Sequence, residues 1–382
     1  MIILEAPYAS DVLLDWCAES QHPVLGNAFV RSIAGERTLN LVDETEAIRR
    51  LTAGERVYTN SENALAWIAE HAPDAPVNAP VALFKDKAAT RRALAELDPQ
   101  LFFRKCSVDE LRALDFDTLP VPFVLKPSVG FCSMGVHVVS SRADWEVALA
   151  DIAENASVWQ QRYPESVVGV NEFVLEGYLD GQEYALDAYY DEDGAPHLVN
   201  VLRHDFASSE DTSDRMYVTS PSIIEETAPM FLAWLARVNE VVGARNFPMH
   251  VEVRVKDGHV SPIEFNPLRF AGLSGTDIAW YAYGYRTYQA FLDGEAPSFP
   301  RIFESRRGKT YCMSLLGVPD GCSGYEPFDL AGLMAHFSHP LRVLEFDGAK
   351  TGSYAFVFLE TNEETAGELD YLLHVDLREF VG

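Results

Sequence analysis

His250-Val251-Glu252-Val253-Arg254-Val255-Lys256-Asp257-Gly258-His259-Val260-Ser261-Pro262-Ile263-Glu264-Phe265-Asn266 alternates apolar and polar residues on both sides of an Asp-Gly pair. Asp-Gly between two alternating runs is a strong hairpin signal. The segment therefore predicts strands over His250 to Val255 and Val260 to Phe265, with a turn at Lys256-Asp257-Gly258. Side chains alternate faces along a strand, so Glu252 and Arg254 share one face of the first strand, and Glu264 and Asn266 share one face of the second. Counting back from the turn puts Glu252 and Glu264 at roughly the same level. Two carboxylates and an amide oxygen converging there make a hard-oxygen set suited to Mg2+ holding nucleotide phosphates. The same alternation also fits a solvated hairpin face. Pro267 and Arg269 favour the functional reading, because a rigid exit and a cation suit an anionic substrate.

Upstream, Phe123-Val124-Leu125-Lys126 reads as an apolar strand closed by a lysine, and Ser128 to Gly135 as a small-residue loop before a second strand. That order can present an ammonium and backbone N–H groups to phosphate. It is not a P-loop, since no lysine follows Gly135, and Gly308-Lys309-Thr310 lacks the first glycine because Phe303 stands in its place. Taken alone, Lys126 also reads as an edge-strand lysine reaching solvent. Cys132 in the loop reads as a small loop residue rather than a nucleophile, with only His137 near it. In Glu176-Gly177-Tyr178-Leu179-Asp180-Gly181-Gln182-Glu183-Tyr184, two glutamates flank a glycine-punctuated turn where carboxylates can accept from an adenine amino group and ribose hydroxyls. The competing reading is an ordinary acidic turn.

The chain around these motifs has 382 residues, two to three domains at about 150 residues each. Hydrophobic residues make up 48% and charged residues 23%, an ordinary globular composition that excludes gross disorder. The charge sum, 30 − 58 = −28, and the lack of any basic run longer than Arg306-Arg307-Gly308-Lys309 argue against nucleic acid and anionic membranes as partners. No apolar run approaches the ~18 residues of a spanning helix. The opening Met1 to Pro7 has no basic n-region, so a secretory signal is not expected. The odd, scattered cysteines (Cys17, Cys106, Cys132, Cys312, Cys322) support neither a disulfide framework nor a zinc site, which points to a reducing cytoplasm. Only seven of the 30 basic residues are lysine, so each lysine is a candidate in its own right.

Residues 1–80 alternate strand and helix, which predicts a small parallel, Rossmann-like sheet. The expected strands are Ile2 to Leu4, Thr38 to Val42 and Arg56 to Thr59. The expected helices are Ser10-Asp11 to Glu19, Asp43 to Leu51 and Ser61 to Ala69. The proline-rich His71 to Pro80 reads as a linker and Pro297-Ser298-Phe299-Pro300 as a second boundary. Between them the expected helices are Asp86 to Leu97, Met230 to Val242 and Asp277 to Asp293. Strands are expected at Phe123 to Lys126, Val136 to Ser140, Glu172 to Leu175, Glu183 to Tyr190 and His197 to Leu202, besides the hairpin. The last segment mixes strands at Tyr311 to Leu315, Leu341 to Phe346 and Tyr354 to Leu359 with an acidic tail helix.

Taken in order, Lys87 on the helix opening the central region, Lys126 before the glycine loop, E-x-x-L-x-G-x-E at Glu176 to Glu183, Glu252, and Glu264-Phe265-Asn266 resemble the ATP-grasp superfamily over about Val81 to Gly294. The Glu176 to Glu183 stretch is similar to the hinge of D-alanine–D-alanine ligases. The resemblance implies an α/β and α+β architecture. In it an N-terminal β-α domain (1–80) precedes an ATP-grasp domain (81–296) of two α+β lobes, with loop 128–136 as a lid and a small α+β segment (297–382) after it. It implies ATP and Mg2+, with Mn2+ an alternative. Lys87, Lys126 and Ser133 would contact the nucleotide phosphates, with Lys126 also near the adenine. Glu176, Gly177 and Leu179 would bind adenine, Glu183 ribose, and Glu252, Glu264 and Asn266 the metal. Arg269, Arg203 and Arg215 are the cations expected to serve catalysis. Many members read Asn-x-Arg, whereas Pro267-Leu268 separate Asn266 from Arg269 here.

The implied activity is an ATP-dependent ligase that joins a small-molecule carboxylate to an amine through an acylphosphate. Phosphoryl transfer needs positioning and charge neutralisation more than a nucleophilic side chain, which agrees with the absence of a Ser-His-Asp or Cys-His arrangement in the sequence. A non-catalytic nucleotide-binding module and an ATP-grasp phosphotransferase share the same motifs and remain alternatives. A cytoplasmic enzyme is expected, with a homodimer the one assembly considered.

Overall fold

The computed structural model describes residues 1–128, 135–162, 172–208, 213 and 215–382, with the backbone alone over 156–162. Near the N-terminus, the strands β1 (Ile2–Ile3), β2 (Val24–Leu25), β3 (Leu41–Val42) and β4 (Tyr58–Thr59) form a parallel sheet in the order β3-β2-β1-β4. Helices return the chain between them, and short polar side chains start those helices by accepting otherwise orphaned N–H groups. Ser10 Oγ accepts from Leu13 N at 3.1 Å to start Asp11–Ser20. Asp43 Oδ1 accepts from Glu46 N at 2.9 Å to start Glu44–Thr52. The Ser10 cap agrees with the sequence reading, and Asp43, expected as the first helical residue, is the cap instead. Unforeseen are β2 and the helix Ala28–Ile33, in a stretch whose only signal is the cap Asn27.

The proline-rich stretch is not a linker. The helix Asn78–Lys85 begins inside it, and Ala72, Ala75 and Val77 are buried. Pro80 falls in the first helical turn, where no N–H is required of it. An expected boundary at residue 80 therefore lies within a helix.

A second sheet is antiparallel, in the order β5-β8-β6-β7, from β5 (Phe103–Ser107), β6 (Phe123–Pro127), β7 (His137–Val139) and β8 (Glu172–Gly177). Its apolar face, with Phe123, Leu125, Phe173 and Leu175, packs on Trp145, Ala148 and Ile152 of the helix Arg142–Arg162. Spacings of three and four put those three residues on one helix stripe. Each fully buried large side chain there contributes about 1.5–3 kcal/mol. The other face of this sheet carries Val124, Lys126, Val174 and Glu176.

The third sheet has eight strands: β9 (Gln182–Tyr190), β10 (Pro196–His204), β11 (Met216–Thr219), β12 (Phe247–Lys256), β13 (His259–Pro267), β14 (Thr310–Gly317), β15 (Pro340–Glu345) and β16 (Ser353–Thr361). Their order is β13-β12-β9-β10-β11-β14-β16-β15. The helix Pro221–Val242 covers one face. Phe231 packs edge-on to Tyr184 at 5.4 Å, and the Tyr190 hydroxyl donates to the Leu235 carbonyl at 3.0 Å. This helix starts nine residues before Met230, the expected start, because Pro229 reads as a breaker in sequence but is tolerated inside the helix. Conversely, the single helix expected over Asp277 to Asp293 is two, Ile278–Tyr283 and Thr287–Asp293, parted at Gly284 with φ 80°.

The expected boundary at 297 does not divide this sheet. β11 pairs with β14, Met216 opposite Ser314, so the strands of the C-terminal segment extend the same sheet that carries the hairpin. Among the described residues, no helix is long and apolar enough to cross a membrane.

Asp277, 2% exposed, ends the 3-10 turn Gly275–Asp277, beside Ser274, whose Oγ accepts from the Ser10 amide at 3.2 Å. Burial pushes its carboxyl up to about 7, against hydrogen bonds from Ser10 and Tyr288 and the charge of Arg286. An acid that keeps its proton longer when folded makes the protein lose stability as pH rises from the unfolded carboxylate pKa to the folded one. Asp277→Asn removes that loss. The variant is expected to melt above wild type beyond pH 7 and level with it below about pH 4, as read by thermal denaturation across pH; equal melting at high pH would refute it.

Candidate active site

The hairpin has the register its sequence implies. Glu252 stands directly opposite Glu264, and His250 opposite Asn266. On the other side, β9 sets Asp187 opposite His250 and Glu183 opposite Arg254. Period-two alternation gathers Glu183, Asp187, His250, Glu252, Glu264 and Asn266 on the sheet face away from the helix Pro221–Val242. The fully buried Asp187 organises that face. It accepts from His250 Nδ1 at 2.8 Å, from the Ala271 amide at 2.9 Å and from Thr276 Oγ1 at 2.7 Å. His250 Nε2 in turn lies 3.8 Å from Glu252.

The helix Lys87–Ala93 brings cations to the carboxylates. Asp86 starts it, accepting from the Ala88 and Ala89 amides. Residues four apart share a helix face, so Lys87 and Arg91 point the same way. Lys87 Nζ lies 3.0 Å from Glu264 Oε1 on β13. Arg91 reaches the other sheet, pairing with Glu176 on β8, and its Nη2 donates to the Ile263 carbonyl at 3.2 Å. Lys126 closes β6, diagonal to Glu176 on the same face, with Nζ 2.6 Å from Glu176 Oε2. Arg91, Lys126 and Glu176 are 5%, 7% and 2% exposed, so this is a buried triad joining the sheets. Burial pulls the Lys126 ammonium below the ordinary lysine range, against the opposing pull of Glu176. Burial would raise Glu176, but Arg91 and Lys126 outweigh it and hold the carboxyl below the ordinary range.

The Glu176 carboxylate is thus engaged by two cations, while Gly177 and Leu179 lead into the turn between β8 and β9. Gly181 in that turn has φ 110°, and a Cβ there would lie 2.3 Å from the Val255 carbonyl, so only glycine lets the turn approach the hairpin. Glu183 accepts from His204 Nδ1 at 2.8 Å and from Arg254 Nε at 2.9 Å. Burial opposes its ionisation, yet His204 and Arg254 bring its pKa below the usual value. Arg269 is held by Glu62 through Nη2 at 2.9 Å and Nε at 3.3 Å.

Arg203 and Arg215 are not brought to this face. Arg203 lies opposite Tyr184 on the helix-covered side of the sheet and forms a bidentate pair with Asp205 at 2.7 Å. Its neighbour His204 takes the site side, the direct result of strand alternation. Arg215 donates to the carbonyls of Leu372 and Val375 at 3.1 and 2.7 Å, near the end of the helix Gly367–His374. Residues 129–134, with Ser133 and most of the expected lid, lie outside the described residues.

Sequence reasoning missed Arg91, His250, His204 and Glu62. Arg91 was detectable as the residue four after Lys87, and His250 as the alternate position before Glu252. Nothing local marks Glu62, whose partner lies 207 residues away. Among the described residues no three His, Cys, Asp or Glu side chains gather as a metal cluster. The facing Glu252 and Glu264 with the Asn266 carboxamide fit a hard divalent cation whose remaining ligands come from phosphate oxygens and water.

Residues 119–277 match the family model described as the ATP-grasp domain. A comparison of the sequence with curated proteins gives no match. Among solved structures, an L-amino acid ligase from Bacillus licheniformis superposes with a TM-score of 0.71 at 17% identity, over 100% of this chain and 97% of that one. The N5-carboxyaminoimidazole synthase of Aspergillus clavatus, in complex with ADP and 5-aminoimidazole ribonucleotide, gives 0.62 at 14% identity over 97% of each chain. The biotin carboxylase domain of a 2-oxoglutarate carboxylase from Hydrogenobacter thermophilus, in complex with MgADP, ADP and bicarbonate, gives 0.61 at 11% identity, over 94% of this chain and 86% of that one. Residues 119–277 are therefore an ATP-grasp domain, and the chain as a whole has the ATP-grasp fold.

Proposed function

We propose that this protein is an ATP-dependent ligase that joins a carboxylate to an amine through an acylphosphate, releasing ADP and phosphate. The observation that carries the reading is the pairing of Glu252 with Glu264 across the hairpin, beside Asn266 and within reach of Lys87. Solved relatives of the same fold include an L-amino acid ligase and complexes with ADP and MgADP, which supports nucleotide use and the ligase class.

In this reading Glu252, Glu264 and Asn266 would hold Mg2+, or Mn2+, which would neutralise charge on the nucleotide phosphates. Lys87 and Lys126 bind phosphate oxygens. The main chain around Gly177 to Leu179 receives the adenine beside Glu176, and Glu183, oriented by His204 and Arg254, accepts from ribose hydroxyls. A carboxylate oxygen attacks the γ-phosphorus and ADP leaves. The amine nitrogen then attacks the acyl carbon, phosphate leaves, and the nitrogen gives up a proton. Arg269 stabilises the oxyanion formed at the acyl carbon.

Mixing the protein with Mg-ATP and paired acids and amines tests the reading. Phosphate release that requires both partners is expected. A stable phosphorylated product would make the protein a phosphotransferase, and tight ATP binding without turnover would make it a binding module. Lys126→Ala is expected to weaken binding of a non-hydrolysable ATP analogue. A lost charge-assisted contact costs on the order of 1.5–3 kcal/mol, roughly ten- to a hundredfold in affinity. Glu176 retains Arg91 in that variant, so the fold should survive. An unchanged dissociation constant by isothermal titration would remove Lys126 from the nucleotide site.

A further inference from the structure

A cavity of about 150 Å3 lies where the second and third sheets meet. Its walls come from both sides of that junction. Leu94 ends the helix Lys87–Ala93, Phe103 opens β5, Pro262 lies on β13, and Trp234 belongs to the helix Pro221–Val242. Trp234 stacks on Phe265 at 6.0 Å, and Phe265 alternates with Glu264 along β13. The Trp234 wall therefore lies on the helix-covered side of the sheet, and the facing carboxylates on the other. Leu94, Trp234 and Pro262 are buried, whereas Ala95 and Pro99 are exposed, so the cavity has a dry floor and a mouth open to solvent.

The lining selects a ligand class. An apolar cavity of about this volume takes a benzene-sized ring, and Phe103 and Trp234 offer rings to pack against. The two charged residues of the wall are already matched. Arg91 holds Glu176 and the Ile263 carbonyl. Asp98 accepts from the Ser261 hydroxyl and lies 3.2 Å from His259 Nε2. A charged ligand would lose its hydration there and find no free counter-charge. What is unmatched is a donor. Trp234 is 5% exposed, and its Nε1 has no hydrogen-bond partner among the described residues. A buried indole N–H usually has an acceptor, so the complement to this wall is a neutral ring that carries one.

We propose that this cavity is an effector site for a small neutral aromatic molecule with one hydrogen-bond acceptor, and that its occupancy strengthens nucleotide binding. Ring binding goes beyond the ligase reading and does not depend on it. Two ligands strengthen each other when both favour the same arrangement of the protein. The ring touches Phe103 of the second sheet and Pro262 and Trp234 beside the third. The nucleotide spans the same two sheets, with Lys126 on β6 and the Glu252–Glu264 pair on the hairpin. Arg91 is common to both places, since it lines the cavity and braces Glu176.

Phenol is the probe, and toluene is its control without an acceptor. Six tryptophans give six indole N–H signals in a 15N-labelled sample, and the Trp234 signal is the one missing from Trp234→Phe. Phenol is expected to shift that signal saturably. Trp234→Phe should weaken phenol binding roughly two- to tenfold, the worth of one neutral hydrogen bond, and change toluene binding less than about twofold. Ala95→Phe closes the mouth at an exposed position, so the fold is kept, and it should weaken both ligands by about tenfold or more. With Mg2+ present, saturating phenol should tighten a non-hydrolysable ATP analogue by about fivefold or more, the lower end of ordinary coupling. An unmoved Trp234 signal, phenol affinity indifferent to both substitutions, or analogue affinity unchanged by phenol would each overturn the assignment.

Discussion

Glu264→Gln combined with Asn266→Ala is expected to abolish ATP turnover while the protein stays folded. Glu264 faces Glu252 across the hairpin, and Asn266 follows on the same face. Removing the carboxylate charge at 264 and the carboxamide oxygen at 266 from the proposed metal set should cost on the order of a thousandfold in rate, judged from what single transition-state contacts are worth. The fold should tolerate the change, because Glu264 is 19% exposed at its side chain and belongs to no apolar cluster. Lys87, 11% exposed at its side chain, loses the Glu264 contact. Steady-state ADP release with Mg2+ titrated, beside a thermal melt, separates the two effects. Turnover within a few-fold of wild type at unchanged Mg2+ dependence would end the metal assignment.

The largest effect on stability is expected from Glu176→Gln. That carboxylate is 2% exposed and balances Arg91 and Lys126 between the two antiparallel sheets. Replacing it leaves two buried cations without a counter-charge, and breaking a buried pair by removing one partner costs about 3–5 kcal/mol. Chemical denaturation of the variant should show that loss, and a change under about 1 kcal/mol would mean the triad contributes no more than a surface pair. The pH dependence has a definite sign. With its folded pKa depressed, Glu176 contributes full stability above the ordinary glutamate pKa and loses it as pH falls through the folded value. The gap in stability between wild type and variant should therefore shrink toward low pH.

These two predictions draw on different kinds of information. The hairpin could be read directly, because an Asp-Gly turn and period-two alternation are local and set the register that places Glu252 opposite Glu264. The same holds for the other three strands of the parallel sheet, with β2 the exception, and the helix caps at Ser10 and Asp43 act over three residues. The triad was only half visible. Lys126 and Glu176 stand out as charged residues on apolar strands, whereas Arg91, which joins them to the hairpin strand, has only its spacing from Lys87 to mark it.

Local pattern, then, determined which residues share a face, and with it the facing carboxylates and the order of the ATP-grasp motifs. Which faces meet was decided by the tertiary structure alone. Arg203 was lost to the wrong side of β10 by a single step of alternation, and His204 gained the site by the same step. The C-terminal strands joined the central sheet through the four-residue β11, too short to signal its partner β14 about a hundred residues on. Glu62 met Arg269 only because the first sheet packs beside the hairpin's exit. Periodicity carries information over a few residues, whereas long-range ion pairs and strand pairings depend on where whole layers settle when their apolar faces are buried.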